Sequence, residues 1–298
     1  MSHRKDANCV FAVNSILTSV VRTGNDNAPM RVGVVLSGGG LRGAGHIGVL
    51  QQLIAHGIPI DVIVGSSAGA VIAAYYAAVG LTLDELIADA QHFRGRHLLA
   101  HSLNVRLHQR FDRAIGKRSG IIPARLNELE RASFDRLHHG VQAIGIVCHD
   151  VKRGQPCYFS TGSHRDVRLT DVVRASASVP LLFPSRRVEC RGESLLLTDG
   201  GVSDCVPIAF AQRPPLSATH IIVSDCRWFA GRRPKSSERL VYVRPRLFAT
   251  GTLWAPSSTL VEAVRQGAAA VTDEMLNCMA RWRSTLPRGP EMSSQPAR

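Results

Sequence analysis

The sequence predicts an α/β protein with a central, mostly parallel sheet covered by helices. Three observations carry that prediction. Two short β-branched apolar runs occur, RVGVVLS at 31–37 and DVIVGSS at 61–67. A helix-forming pattern follows each run, and the links between them are short and rich in glycine. Parallel neighbours need a crossover, and a helix is its usual form, so strand–helix–strand–helix with tight links is the signature of such a sheet.

Each element has its own justification. Residues 1–30 read as an N-terminal extension that ends in the turn-rich GNDNAP. RVGVVLS is a buried strand, because it is short, β-branched and stopped by glycines. In AGHIGVLQQLIAHG the spacing puts Ile47, Leu50, Leu53 and Ile54 on one helical face, and Gly57 supplies the stop. DVIVGSS is the second strand, followed by the alanine-rich AGAVIAAYYAAVG, a helix ending at Gly80. Residues 81–139 turn helical and basic, with a turn expected at GKRSGIIP. VQAIGIVCHD returns to strand character. LTDVVRASASVP is a helix cut off at Pro180, and ESLLLTDGG is a strand that runs into glycines. HIIVSD and LVYVRP follow as strands, and residues 259–282 show helical periodicity. A single domain is expected over 31–285, with 286–298 as a disordered tail.

Composition bounds the function classes. The 298 residues are 45% hydrophobic and 20% charged, as in a folded globular chain. No apolar run reaches the length of a transmembrane segment. The balance of 36 basic against 23 acidic residues, a formal charge of +13, favours polyanionic partners, either nucleic acid or an anionic membrane surface. The cations gather at Arg94, Arg96, Arg106, Arg110, Arg113, Lys117 and Arg118, and again at Arg227, Arg232, Arg233, Lys235 and Arg239. Neither cluster is interleaved with base-stacking aromatic residues, which argues against nucleic acid. Seven cysteines without a C-x-x-C pair suggest neither a zinc site nor a disulfide framework, and point to reduced thiols. The stretch CVFAVNSILTSVV after Arg4 and Lys5 has the outline of a signal peptide, but Asp6 and Asn14 dilute it. The expected location is cytoplasmic or peripheral at a membrane, with secretion left open.

Two motifs carry chemistry. Gly65-Ser66-Ser67-Ala68-Gly69 matches G-x-S-x-G at a strand-to-helix junction. A nucleophile on so sharp a turn needs small neighbours, and Ser67 would stand at the positive end of a helix dipole. No downstream histidine sits in a glycine-flanked loop after a late strand. Asp199, at the strand end LLLTDGG, is the better candidate for the base, and Gly200 and Gly201 keep space open beside it. SGGGLRG can converge its backbone N–H groups on an oxyanion. The same loop fits G-x-G-x-x-G through Gly38, Gly40 and Gly43, the dinucleotide fingerprint. That alternative fails 20 residues on. The acidic Asp61 opens the second strand, and Ser66-Ser67 stand where a ribose-binding acid belongs.

Taken in order, SGGGLRGAGHIGVL, GSSAG, RASASVPLLFP and the DGG at 199–201 resemble the patatin-like phospholipases. The resemblance runs from about residue 32 to 210, and on to about 280. It implies a three-layer α/β/α fold of patatin type and a Ser-Asp dyad that hydrolyses lipid acyl esters with no metal or cofactor. It assigns Ser67 as nucleophile, Asp199 as general base, and Gly38, Gly39, Gly40 and Arg42 as the oxyanion loop. Gly43, Gly65, Gly69, Gly200 and Gly201 support the motifs. His46, four residues before Leu50, reads as packing rather than catalysis. The implied partner is a phospholipid or another lipid ester, and the positive charge adds an expectation of peripheral contact with an anionic membrane surface. After DGG the chain reads Val202-Ser203-Asp204-Cys205-Val206-Pro207, departing from the Asn-Pro of many relatives. A non-catalytic membrane- or partner-binding module and a general carboxylesterase are the alternatives.

Overall fold

The computed structural model describes residues 29–93, 121–164, 166–229, 236–247 and 256–284. The basic segment 94–118, most of the N-terminal extension, Arg232, Arg233 and Lys235, and the C-terminal tail lie outside these residues.

In chain order the elements are β1 (Val32–Leu36), α1 (Gly45–Ala55), β2 (Val62–Ser66), α2 (Ala68–Ala73), α3 (Leu83–His92), α4 (Ile121–Leu129), β3 (Ala143–Asp150) and β4 (Gln155–Ser160). They continue as α5 (Leu169–Ser176), β5 (Arg186–Cys190), β6 (Glu193–Asp199), α6 (Ile208–Gln212), β7 (His220–Ser224), β8 (Leu240–Val243), α7 (Ser257–Ala269) and α8 (Asp273–Ser284). All eight strands join one sheet. β3, β2, β1, β7 and β8 are parallel neighbours in that order.

Alternation along the strands separates two cores. Val32, Val34 and Leu36 of β1 face the layer that holds α1, α2, α3, α5 and α7, whereas Val35 packs on the other side with Phe210 and Ala211 of α6. The fold is therefore three-layered, α/β/α, with the thicker helical layer on one face.

The sheet departs from parallel pairing at β3. β4 and β6 both run antiparallel to it, and β5 runs antiparallel to β6. Residues 145–147 of β3 pair with both β2 and β4, and residues 148–150 pair with both β4 and β6. β2 and β6 thus share one edge of β3, one after the other, and run towards each other. Ser66 at the end of β2 pairs with Val147, and Asp199 at the end of β6 pairs with Cys148.

Several expectations need correction. Ile54 is 40% exposed, because the last turn of α1 projects beyond the packed layer and only Ile47, Leu50 and Leu53 keep to the core. Of the turn expected at GKRSGIIP, residues 116–120 lie outside the described residues, and the remaining Ile121, Ile122 and Pro123 belong to α4. The helix expected over 259–282 is two helices, α7 and α8, broken after Ala269. AGAVIAAYYAAVG continues from α2 into wider π-type turns before Gly80 ends it in the left-handed region. β4 and β5 were not anticipated, since QPCYFS and RRVEC lack the apolar runs of the central strands.

α1 and α7 cross with their backbones in contact. A Cβ added to Gly48 would stand 1.9 Å from the Val264 carbonyl oxygen, and one on Gly267 would stand 1.9 Å from the Gly45 oxygen. Among the described residues, no helix is long and apolar enough to cross a membrane.

Candidate active site

The convergence of β2 and β6 on adjacent residues of β3 brings two side chains together. Ser67 follows β2 directly, and its Oγ donates a hydrogen bond of 2.6 Å to Oδ2 of Asp199, the last residue of β6. The other carboxylate oxygen, Oδ1, accepts the Gly201 N–H at 2.8 Å. The Asp199 N–H is held by the Ser178 carbonyl in the loop after α5. Among the described residues, no histidine hydrogen-bonds the Ser67 hydroxyl.

Ser67 itself is strained. Its φ of 54° and ψ of −121° lie outside the regions that non-glycine residues prefer, and the strain sits at the first residue before α2. Two contacts hold it there. The Ser67 N–H donates to Ser176 Oγ at 3.0 Å, and that hydroxyl donates onward to the Val147 carbonyl at 2.6 Å. The flanking glycines are steric necessities. A Cβ on Gly65 would meet the Gly69 carbonyl carbon at 2.4 Å, and one on Gly69 would meet the Leu36 oxygen at 2.2 Å. The turn exists because strand β1, the turn and helix α2 touch through backbone alone.

Both members of the pair are nearly covered, Ser67 at 6% and Asp199 at 5% exposure. Burial raises the Asp199 carboxyl from its ordinary 3.8 to about 6, against the opposing hydrogen bonds from Ser67 and the Gly201 N–H. A carboxylate so placed is a stronger base than a solvated one, and it stays ionised at neutral pH.

The glycine loop lies over this pair. Gly38 is adjacent to Ser67, since a Cβ there would stand 3.3 Å from the Ser67 Cβ and 2.8 Å from Cys205 Sγ. Gly43 rests on Ala68 at the start of α2. Gly200 lies against the Val147 carbonyl oxygen, where an added Cβ would come within 2.2 Å. Of the residues expected to line an oxyanion site, two have other engagements. The Gly38 N–H donates to the Cys205 carbonyl, and the Arg42 N–H to the Gly39 carbonyl. The Arg42 side chain donates to the carbonyls of Cys226, Leu247 and Arg227 and stacks over Trp228, 5.2 Å from the ring centre, so it clamps the loop from behind. Among the described residues, the N–H groups of Gly39 and Gly40 find no acceptor.

His46 does more than pack. It is fully buried, with Nε2 2.9 Å from the Ser37 carbonyl and Nδ1 2.7 Å from Ser224 Oγ. The carbonyl can only accept, so Nε2 carries the hydrogen and Nδ1 accepts from the serine hydroxyl. Burial lowers its pKa to about 4, which keeps the ring neutral. Ser37 in turn bonds Gly38 O and accepts the Cys226 N–H through its hydroxyl. The residues that anchor the loop, Ser224 to Arg227, come from the end of β7. They escaped the sequence reading because nothing in HIIVSDCR marks it as the seat of a loop 180 residues upstream. The segment is further fixed by Asp225. Burial alone would raise this carboxyl, but hydrogen bonds from Arg227 and Tyr242 outweigh it and hold it at about 2.

Comparison with known proteins agrees with this architecture. VipD from Legionella pneumophila superposes with a TM-score of 0.51 over 85% of this chain and 67% of that one; at 13% identity the likeness is one of fold. An uncharacterized NTE family protein of Mycobacterium tuberculosis is 31% identical over 186 residues, 59% of this chain and 27% of the relative. A second M. tuberculosis NTE family protein is 31% identical over 193 residues, 64% of this chain and 48% of its own. The chain thus spans about half or less of the length of these curated relatives. A Candida albicans protein named lysophospholipase NTE1 is 52% identical over a stretch of 46 residues, 15% of this chain and 3% of the relative. The family model described as patatin-like phospholipase matches residues 34–211, more than half of the sequence, and takes in the end of β1, Ser67 and Asp199: the chain belongs to the patatin-like phospholipase family.

Proposed function

We propose that the chain is a serine hydrolase of fatty-acyl esters in lipids, of the phospholipase A or lysophospholipase kind, working through Ser67 and Asp199. The observation that carries this reading is the 2.6 Å hydrogen bond from a strained serine at the start of α2 to a buried carboxylate. Family membership and the name of the C. albicans relative support a lipid ester as the substrate.

The chemistry follows from the atoms present. Ser67 Oγ attacks the ester carbonyl carbon as Asp199 Oδ2 accepts the hydroxyl proton. The carbonyl oxygen becomes an oxyanion, for which the uncommitted N–H groups of Gly39 and Gly40 are the donors. On collapse the alcohol portion leaves with the proton returned by Asp199, and the acyl group stays on Ser67. Asp199 then takes a proton from water; the hydroxide attacks the acyl-enzyme, and the fatty acid departs as Ser67 recovers its hydrogen. One carboxylate serves as base and acid in turn, the role an imidazole fills in a triad.

The test is fatty-acid release from phosphatidylcholine, lysophosphatidylcholine and short-chain nitrophenyl esters, alongside labelling by a fluorophosphonate probe. Wild type should release fatty acid and take up the probe, and Ser67→Ala should do neither. Equal activity in wild type, Ser67→Ala and Asp199→Asn would remove the dyad. Failure of Ser67 to react with the probe would favour a non-catalytic binding module.

A further inference from the structure

Four large apolar side chains stand exposed on three separate segments that adjoin the dyad or its glycine loop. Leu181 is 91% exposed, Val202 53%, Trp228 43% and Phe229 82%. Each follows an element that ends at the dyad or its loop. Val202 comes three residues after Asp199. Trp228 and Phe229 continue from the β7 end that anchors the glycine loop. Leu181 lies beyond α5, whose Ser176 holds the Ser67 amide. Single exposed apolar side chains are commonplace, but several on segments that lead from one site form the apolar rim of a contact surface.

The Leu181 turn is built to keep that side chain outward. Leu182 and Phe183 both donate their N–H groups to the Val179 carbonyl, and Leu181, at the apex beside exposed Pro180, has a φ of 72°. A branched residue rarely adopts that conformation, and a tight turn that imposes it does so against local preference.

Cations flank the apolar rim. Arg174 lies on α5, and Arg186 opens β5, which packs against α5. Arg186 pairs with Leu197, two residues short of Asp199, so it sits near the same edge. Its Nε is buried without a hydrogen-bond partner among the described residues. Arg187 beside it is exposed, and so is Arg246, which follows the end of β8. Burial, then the like charges of Arg174 and Arg168, lower the Arg186 pKa, with Asp171 opposing them. An anionic group would relieve both the unmet donor and the mutual repulsion.

We propose that this rim is a membrane-docking surface, with Leu181, Val202, Trp228 and Phe229 entering the interfacial layer of a bilayer and Arg174, Arg186, Arg187 and Arg246 meeting the phosphates of anionic lipids. Tryptophan suits such an interface because its ring is amphipathic, and arginines near the surface add attraction to acidic headgroups. The net charge of +13 acts in the same direction. The proposal deepens the lipid-hydrolase reading and rests on it, since docking there brings lipid to the segments that hold Ser67 and Asp199.

The experiment separates binding from turnover by using a Ser67→Ala chain. Its co-sedimentation is measured with vesicles of phosphatidylcholine alone and of phosphatidylcholine mixed with phosphatidylglycerol. Stronger partition to the mixed vesicles, weakened by salt, is expected. Leu181→Asp and Phe229→Asp should each reduce it about tenfold. Arg186→Gln should remove part of the phosphatidylglycerol-dependent gain. Ile54→Asp, at the far end of α1 from the site, should change nothing, and melting curves of all variants confirm folding. Absence of binding by the Ser67→Ala chain to both vesicles would overturn the proposal and favour a protein contact on this rim. Equal effects of Ile54→Asp and Leu181→Asp would also overturn it. Because binding is read in the Ser67→Ala chain, loss of the hydrolase reading leaves this outcome independent.

Discussion

Ser66 and Asp199 sit opposite consecutive residues of β3, Val147 and Cys148, although β2 and β6 run in opposite directions along that edge. The two strands do not pair with each other. β3 acts as the ruler that sets the distance between the hydroxyl that follows one and the carboxylate that ends the other.

Removing either member of the pair should abolish turnover. Ser67→Ala and Asp199→Asn are each expected to lower kcat for a nitrophenyl ester by roughly 10³-fold or more, and the double variant by little beyond the worse single, since the two act as a unit. Steady-state kinetics on the three variants checks this.

The pH profile should carry one ascending limb. Asp199 must be ionised to accept the Ser67 proton, and burial places its pKa at about 6. The rate should therefore rise with pH through about 6 and level off above it, falling about tenfold per pH unit on the acid side. A limb near pH 4 instead would mean that Asp199 is not desolvated as described.

The same carboxylate should weaken the fold. A carboxyl raised from 3.8 to about 6 favours the native state while protonated; that contribution is whole below pH 4 and lost as pH rises through 6. At neutral pH the buried charge costs up to roughly 3 kcal/mol. Asp199→Asn should then melt higher than wild type at pH 7 and show no such gain at pH 4, while being inactive at both.

His46 should matter to rate more than to substrate affinity. His46→Ala leaves the Ser37 carbonyl and Ser224 hydroxyl unmet in the core, at a cost of about 2–4 kcal/mol in urea unfolding. Because Ser37 opens the glycine loop, kcat should fall while KM stays near its wild-type value. His46→Gln, which keeps a donor and an acceptor, should recover part of both losses.

Gly200→Ala tests the backbone contact behind the aspartate. A methyl group there would lie 2.2 Å from the Val147 oxygen, so β6 must move away from β3. The expected result is a loss of more than about 2 kcal/mol in stability, with activity falling along with it.

Much of the fold was legible because the central strands are buried on both faces and read as apolar runs. RVGVVLS, DVIVGSS and HIIVSD all became strands of the parallel sheet. β5 was not legible: RRVEC lies at the sheet edge with only Val188 and Cys190 buried, and its pattern resembles a loop. Ser67 and Asp199 were visible because each needs glycines beside it. The role of His46 was hidden, because its partners Ser37 and Ser224 meet only through parallel pairing of β1 with β7. Nor could sequence separate Gly38 from Gly39 and Gly40, since the acceptor of the Gly38 N–H is Cys205, in a stretch that departs from the family pattern.

The stretch recognised as patatin-like ends at residue 211, yet α1 leans on α7 through glycine backbones at Gly48 and Gly267. The limit of recognisable ancestry and the limit of mechanical integrity therefore fall in different places. A chain cut after Ala211 would keep both dyad residues and every motif, but lose the abutment that seats the first helix and the β7 end that tethers the glycine loop. Such a fragment should be judged by its refolding before its silence in an assay is taken to say anything about Ser67.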